Sequence, residues 1–204
     1  MARSMPAGMY GELMDAGFRR SGLLVYQPAC VGCTACRSLR VSVKGFVRTD
    51  SQRRCWNKNQ DLVVSVGKAQ ASAEKYELYA RYVRERHGRE EDATPEAFLS
   101  FLYEAPFPSL EMEYRDAAGR LLGVGICDRV DRGLSSVYFY FDPDASKRGL
   151  GTFGVLWEIE FARAETIPFY YLGYWVAGCG AMEYKARFGP HEVLGADGVW
   201  RAPS

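Results

Sequence analysis

Residues 134–176 read LSSVYFYF (134–141), KRGLG (147–151), TFGVLWEIEFARA (152–164) and FYYLGYWV (169–176). The first and last runs are strand-like, and the segment between them reads as a helix entered through a glycine-punctuated basic turn. Backbone N–H groups at such a turn and helix N-terminus can hold a phosphate. Two further strand-like runs, Ser109–Arg115 and Arg120–Val130, precede this stretch. They are separated by Ala118-Gly119, and from Leu134–Phe141 by Asp131-Arg132-Gly133, so the three runs form an antiparallel meander. Downstream, a helix is expected around Ala181–Arg187 and a short strand over Val193–Trp200.

The amino-terminal half is a mixture of the same elements. A short helix is expected over Gly8–Ala16, closed by Gly17, where a left-handed cap costs least. Leu23–Tyr26, Leu39–Val43 and Leu62–Val66 read as strands. Tyr76, Tyr79, Ala80 and Val83 give Glu74–His87 a helical period. Gly88–Ala93 is the best linker candidate in the chain. Thr94 followed by Pro95 is a helix start, a hydroxyl cap and then proline where no N–H is missed, and that helix runs to about Tyr103. The expected organisation is an amino-terminal basic, Cys-containing lobe over residues 1–73 and a carboxy-terminal domain over residues 74–204.

The 204 residues are 48% hydrophobic and 25% charged, enough for one generous domain or two small ones and unlike a disordered chain. No run approaches the roughly 18 apolar residues of a membrane span, and Met1–Tyr10 has no apolar core for secretion, so the expected compartment is the cytoplasm. The net charge of +1 conceals an asymmetry. Between Arg19 and Gln60 nine basic residues face the single acid Asp50, a local +8, whereas residues 61–204 carry −6. Phosphates attract such a cluster without base-specific contacts. The alternative is a solvated basic face.

Three of the six cysteines, Cys30, Cys33 and Cys36, are spaced Cys-x-x-Cys-x-x-Cys, which allows thiolates to converge on a zinc ion or an iron–sulfur cluster. Cys55, His87, another residue or solvent would complete the set; free or regulatory thiols are the alternative. Cys127 and Cys179 read as small buried hydrophobes. In the strand Phe169–Trp175, simple alternation puts Tyr170, Leu172 and Tyr174 on one face and Tyr171, Gly173 and Trp175 on the other. One face then serves as core and the other as a pocket stacking an adenosine or an aminoacyl group. Tyr184-Lys185 would bring a phenol and an ammonium near the end of that strand.

The order of elements resembles the general N-acetyltransferase (GNAT) superfamily, whose turn typically reads Arg/Gln-x-x-Gly-x-Gly/Ala, a resemblance that implies an acyltransferase-like domain over residues 74–204. Arg148 and Gly151 fit, but Phe153 stands where Gly or Ala lets the backbone approach a pyrophosphate, which argues against acyl-CoA. A second resemblance covers Tyr10 to Trp200. Gly17-Phe18-Arg19-Arg20-Ser21-Gly22, Tyr26-x-Pro28-x-Cys30-x-x-Cys33-x-x-Cys36-x-x-x-Arg40, Ser51-Gln52-Arg53-Arg54 and Asn59-x-Asp61-Leu62 are similar to the amino-terminal half of the bacterial aspartate/glutamate leucyltransferases, relatives of the arginyl-tRNA–protein transferases. Tyr79-x-x-Tyr82, Arg86-His87, Ser135-Ser136-Val137-Tyr138-x-Tyr140-Phe141-x-Pro143, Leu150-Gly151-Thr152, Tyr171-Leu172-Gly173-Tyr174-Trp175 and Cys179-x-x-Met182-x-Tyr184-Lys185-x-x-Phe188-x-Pro190 continue it in order. The resemblance implies an α/β (α+β), GNAT-like mixed sheet with flanking helices and a Cys-rich loop in the amino-terminal lobe. It further implies movement of an amino acid from charged tRNA to the N-terminal acidic residue of a protein, marking that protein for degradation. Members usually carry a preceding segment with a cysteine and a Tyr-Leu-Pro run, which this sequence does not show; that cysteine would be a natural fourth metal ligand or part of the acceptor site.

An aminoacyl ester is already activated, so transfer requires mainly that a neutral amine be held against the carbonyl, with no cofactor needed for the chemistry. Tyr138, Tyr174, Tyr184 and Lys185 are the expected catalytic residues, the tyrosines orienting the ester or its ribose hydroxyl. Arg19, Arg20, Arg53, Arg54 and Trp175 are expected to bind substrate. Arg53, Arg54 or Lys185 would meet the acidic acceptor, with tRNA phosphate as the competing role for the two arginines. The expected partners are aminoacyl-tRNA and proteins beginning with Asp or Glu, with no membrane; leucine is favoured over arginine as the donated residue. Two other functions are weighed: an acyl-CoA N-acyltransferase and a non-catalytic, metal-containing RNA-binding module.

Overall fold

The computed structural model describes residues 5–203, so the first residues of the Met1–Tyr10 stretch lie outside it. The expected meander is present and gains a strand at its edge: β4 (Val63–Lys68), β5 (Leu110–Arg115), β6 (Leu121–Val130) and β7 (Gly133–Phe141) pair antiparallel in sequence. The chain then passes through helix α5 (Leu150–Ala164) and returns as β8 (Phe169–Trp175), parallel to β7. On the far side of β8 lie β3 (Arg37–Ser42), β9 (His191–Leu194) and β10 (Trp200–Arg201), all antiparallel to their neighbours. The sheet therefore has the order β10-β9-β3-β8-β7-β6-β5-β4.

A boundary at residue 73 divides the chain but not the sheet, since β3 sits inside it and β4 forms its edge. The Gly88–Ala93 stretch likewise does not separate two bodies. Ala93 is buried, and its carbonyl accepts a 3.1 Å hydrogen bond from Tyr76. The helices on either side, α3 (Ala73–Tyr82) and α4 (Pro95–Phe98), pack into one aromatic cluster with Val124, Ile126 and Tyr140 of the sheet. The Thr94 hydroxyl caps α4 by accepting from the Ala97 N–H at 3.1 Å.

Helix α5 covers the opposite face. Phe153, Leu156, Ile159 and Ala162 meet Met112, Tyr114, Leu134 and Tyr170 in the largest core cluster. Gly154 lets the helix approach closely, because a Cβ there would lie 2.4 Å from the Phe139 ring. Helix α1 (Ala7–Asp15) and a separate hairpin, β1 (Arg19–Ser21) with β2 (Leu24–Tyr26), cover the face shared with α3. Tyr10 and Met14 pack there on Val130 and Tyr171. The helix α2 (Asp50–Lys58) is capped by a reciprocal Thr49–Gln52 box and lies against the start of α5.

The stretch expected to be a helix over Ala181–Arg187 is a short 3-10 segment, Glu183–Arg187.

Candidate active site

Strands β7 and β8 are paired only over Gly133↔Phe169, Leu134↔Tyr170 and Ser135↔Tyr171. Each strand carries a bulge just beyond. Opposite β6, Tyr138 and Ser136 face Ile126 and Cys127, leaving Val137 as the extra residue; opposite β3, Gly173 and Tyr171 face Leu39 and Arg40, leaving Leu172 as the extra one. Bulges bend a strand and re-aim its side chains, and here they splay the parallel strands apart. The cleft that results has a volume of about 260 Å³, bounded by Ser136 and Val137 on one side and Gly173 and Tyr174 on the other. Gly173 adopts φ +82°, which a side chain would strain.

The β8 bulge overturns the simple alternation expected for this strand. Tyr174 lies with Tyr171 on the α1 face, where its hydroxyl donates to the carbonyl of Gly17 (2.9 Å) or of Tyr26 (3.1 Å). Trp175 is turned to the α5 face and packs against the core, so it does not line the cleft. Burial raises the Tyr174 phenol to about 12. That hydroxyl is a structural tie holding the hairpin over the cleft.

Lys185 lies at the cleft, its Nζ donating to the Tyr174 carbonyl at 2.7 Å. Burial, followed by the nearby positive charge of Arg19, lowers its ammonium to about 8. Arg19 is itself buried at the base of the cleft, with its guanidinium 5.2 Å from the Tyr171 ring centre. Arg20 is a different case. Its Nε and Nη2 donate to Asp128 at 2.8 and 3.0 Å, Ser109 bonds the same carboxylate, and both charged side chains are fully buried. Arg20 thus anchors β1 to β6 and has no free charge for a substrate.

A second cavity, about 680 Å³, opens between α2, the turn before α5 and the Glu183–Arg187 segment. Arg54, Lys58, Lys147, Arg148 and Arg187 line it, together with Tyr184. Arg53, on the other side of α2, bonds the Arg48 carbonyl and Asp50 and is not part of it. The start of α5 is covered by α2: Cys55 Sγ lies 3.4 Å from the Gly149 carbonyl, and Arg148 is held by Asn59 (3.0 Å) and Asp61. The obstacle to a CoA pyrophosphate is this cover. Phe153 instead points into the core against Trp56 and Tyr114.

Tyr138 lines a third cavity, on the α3 face, about 460 Å³ and bordered by Tyr79, Phe101 and His87. Of the four residues expected to be catalytic, Tyr174 and Lys185 share the cleft, Tyr184 lies in the basic groove, and Tyr138 is separate. Cys30, Cys33 and Cys36 are exposed in the loop between β2 and β3. Among the described residues no three His, Cys, Asp or Glu side chains converge as a metal-binding group, so the thiols present do not form a ready tetrahedral set.

Two contributors escaped the sequence reading. Tyr10, from α1, reaches the cleft although its helix is remote in sequence. Glu158, on α5, is wholly buried, accepts from the Tyr170 hydroxyl, and has its carboxyl pushed up to about 7 by burial. The available signal was its place on the apolar face of α5, one turn from Val155 and Ala162, whereas the second glutamate of the helix, Glu160, lies off that face. Among the described residues no helix is long and apolar enough to cross a membrane.

Comparison with known proteins bears on the family and the fold. The family model "Arginine-tRNA-protein transferase, N terminus" matches residues 1–54, and its C-terminal counterpart matches residues 74–195. The aspartate/glutamate leucyltransferase of Hahella chejuensis (strain KCTC 2396) is 42% identical over 191 residues, covering 93% of this chain and 81% of that protein. The enzyme of the same name from Nitrosococcus oceani is 43% identical over 192 residues, with coverages of 93% and 81%. Among solved structures, L-PGS from Bacillus licheniformis superposes with a TM-score of 0.59 at 12% identity, over 82% of this chain and 58% of that one. FemX gives 0.52 at 10% identity, over 87% and 64%. These two share the fold, a GNAT-like mixed sheet with flanking helices. With both family models matched in order and the full-length relatives so similar, the chain belongs to the aspartate/glutamate leucyltransferases of the aminoacyl-tRNA–protein transferase family.

Proposed function

We propose that this protein transfers leucine from Leu-tRNA to the α-amine of proteins beginning with Asp or Glu, in the cytoplasm where charged tRNA is found, marking them for degradation. The observation that carries the reading is the Glu183–Arg187 turn, which joins two sites: Lys185 lies in the β7–β8 cleft, while its neighbour Tyr184 and Arg187 line the basic groove. An aminoacylated tRNA end running along the groove delivers its ester to the mouth of the cleft. Four of the groove's cations, Arg54, Lys58, Lys147 and Arg187, have no acid partner among the described residues and suit a phosphate backbone with no need of a base contact.

The chemistry is aminolysis of an ester. The neutral amine attacks the leucyl carbonyl, a C–N bond forms, the bond to the ribose oxygen breaks, and that oxygen leaves with a proton as the tRNA hydroxyl. A free α-amine titrates near roughly 8, so a substantial neutral fraction exists near neutral pH. Holding the amine against the ester then supplies most of the rate. Cations around the cleft favour the neutral amine over its ammonium.

An acyl-CoA donor fits less well, because Cys55 and the paired Arg148 cover the helix start at which a pyrophosphate would bind. Leu-tRNA, Arg-tRNA and acetyl-CoA, each labelled, are to be offered with a peptide beginning in Asp. Label is expected from Leu-tRNA; transfer from acetyl-CoA alone, or from no donor, contradicts the proposal.

A further inference from the structure

Arg19 is a buried cation without a counter-ion among the described residues. Its Nη1 donates to the carbonyls of Met14 (3.1 Å) and Phe18 (2.6 Å), while Nε and Nη2 have no hydrogen-bond partner. The neighbouring acids are already engaged. Asp128 belongs to Arg20, and Asp15 bonds Arg40 at 2.9 Å. The Tyr10 hydroxyl, also buried and bordering the cleft, is likewise unpartnered. Lys185 adds a second cation, and no Asp or Glu lines the cavity. Burying a charge without a partner is costly. Two cations and an idle phenol around one cleft are therefore arranged for an anion that arrives from outside.

The size of the cleft narrows the choice. Its 260 Å³ falls below the roughly 300–1,000 Å³ of pockets that take drug-sized ligands, room for one amino-acid side chain but not for a nucleoside with its phosphates. The donated leucyl group offers a cationic amine, an apolar chain and an uncharged ester, none of them an anion to balance two buried cations. The acceptor offers a carboxylate two or three bonds from the amine that must react.

We propose that the cleft reads the acceptor: the side-chain carboxylate of an N-terminal Asp or Glu enters between β7 and β8 and is bound by Lys185 with Arg19 behind it, leaving the α-amine at the mouth. The Tyr174 ring, 5.9 Å from the guanidinium, is part of the cleft wall, so Lys185 makes the direct contact and Arg19 acts through its charge from behind. The identity of the acceptor rests on the leucyl-transfer reading, whereas the preference for a carboxylate rests on the cleft alone.

Peptides beginning in Asp, Glu, Asn and Gln are to be compared with wild type, Arg19→Gln and Arg19→Lys. A charge-assisted contact is worth about tenfold or more, so wild type is expected to favour Asp over Asn by at least that factor. Arg19→Gln should lose the preference mainly through the KM for peptide, and Arg19→Lys should restore some of it. An unchanged preference in Arg19→Gln, with wild-type transfer intact, overturns the proposal and leaves leucyl transfer standing.

A titration that needs neither turnover nor a stable Arg19 variant gives the second test. In wild type carrying ¹³C-methylated lysines, with the Lys185 signal identified by its absence from Lys185→Arg, an Asp-initiated peptide should raise the pH at which that signal titrates and its Asn counterpart should not. No rise, or a rise produced by a cytidine-cytidine-adenosine trinucleotide and not by the peptide, overturns the proposal.

Discussion

Lys185 Nζ donates a 2.7 Å hydrogen bond to the Tyr174 carbonyl and so ties the turn after β8 back to the strand at the cleft. The ammonium that makes this bond titrates at about 8, lowered by burial and by Arg19. The acceptor amine must be neutral to attack, whereas Lys185 must be charged to hold a carboxylate. As pH rises the first condition improves and the second fails. kcat/KM for an Asp-initiated peptide is therefore expected to pass through a maximum near pH 8 and fall above it. In Lys185→Arg, whose side chain stays charged, the alkaline fall should vanish; a pH–rate profile of both proteins checks this.

The buried Arg20–Asp128 pair links the β1 hairpin to β6. Removing one partner strands the other charge in the interior. Asp128→Asn is expected to cost roughly 3–5 kcal/mol of stability, and the double change Arg20→Met with Asp128→Leu should recover most of it. Urea denaturation of the single and double variants measures both effects.

Arg54 and Arg53 are adjacent in sequence but only Arg54 faces the basic groove. Arg54→Glu should weaken tRNA binding and reduce the slope of log affinity against log salt by about 1. Arg53→Glu, which removes a side chain already bonded to Asp50, should change that slope much less. Filter binding across a salt series distinguishes the two.

Glu158 carries a carboxyl whose proton affinity burial raises, to a pKa of about 7 from an ordinary 4.5. The folded state thus holds the proton more tightly than the unfolded one between those values. This favours folding below about pH 4.5 and is progressively lost as pH rises through 7. Glu158→Gln keeps an acceptor for Tyr170 and cannot ionise. It should gain stability over wild type at pH 8, up to roughly 3 kcal/mol, and lose that gain by pH 4.5. Thermal or urea unfolding at both pH values provides the check.

Local signals were legible in the sequence where they depend on neighbours in the chain. Thr94-Pro95 marks a helix start and caps it as expected, and the two turns of the meander fall where glycine and charge put them. The charge asymmetry between Arg19 and Gln60 supplied only part of the basic groove: Arg54 and Lys58 line it, Lys147, Arg148 and Arg187 come from outside that run, and Arg20 is locked to Asp128. Pairing partners 108 residues apart leave no periodic trace. The facing of Tyr174 and Trp175 was hidden for another reason: one extra residue at Leu172 reverses every later side chain, and a bulge has no pattern in hydrophobicity. Insertion of β3 beside β8 likewise follows from tertiary packing, which a boundary drawn along the chain cannot express.

The most direct test of the central claim is mass analysis of otherwise identical peptides beginning in Asp, Glu or Ala after incubation with the protein and Leu-tRNA. Leucine is expected to be added through a new amide at the N-terminus of the Asp and Glu peptides and not of the Ala peptide. Addition to all three alike, or to none while the tRNA remains charged, would contradict the claim.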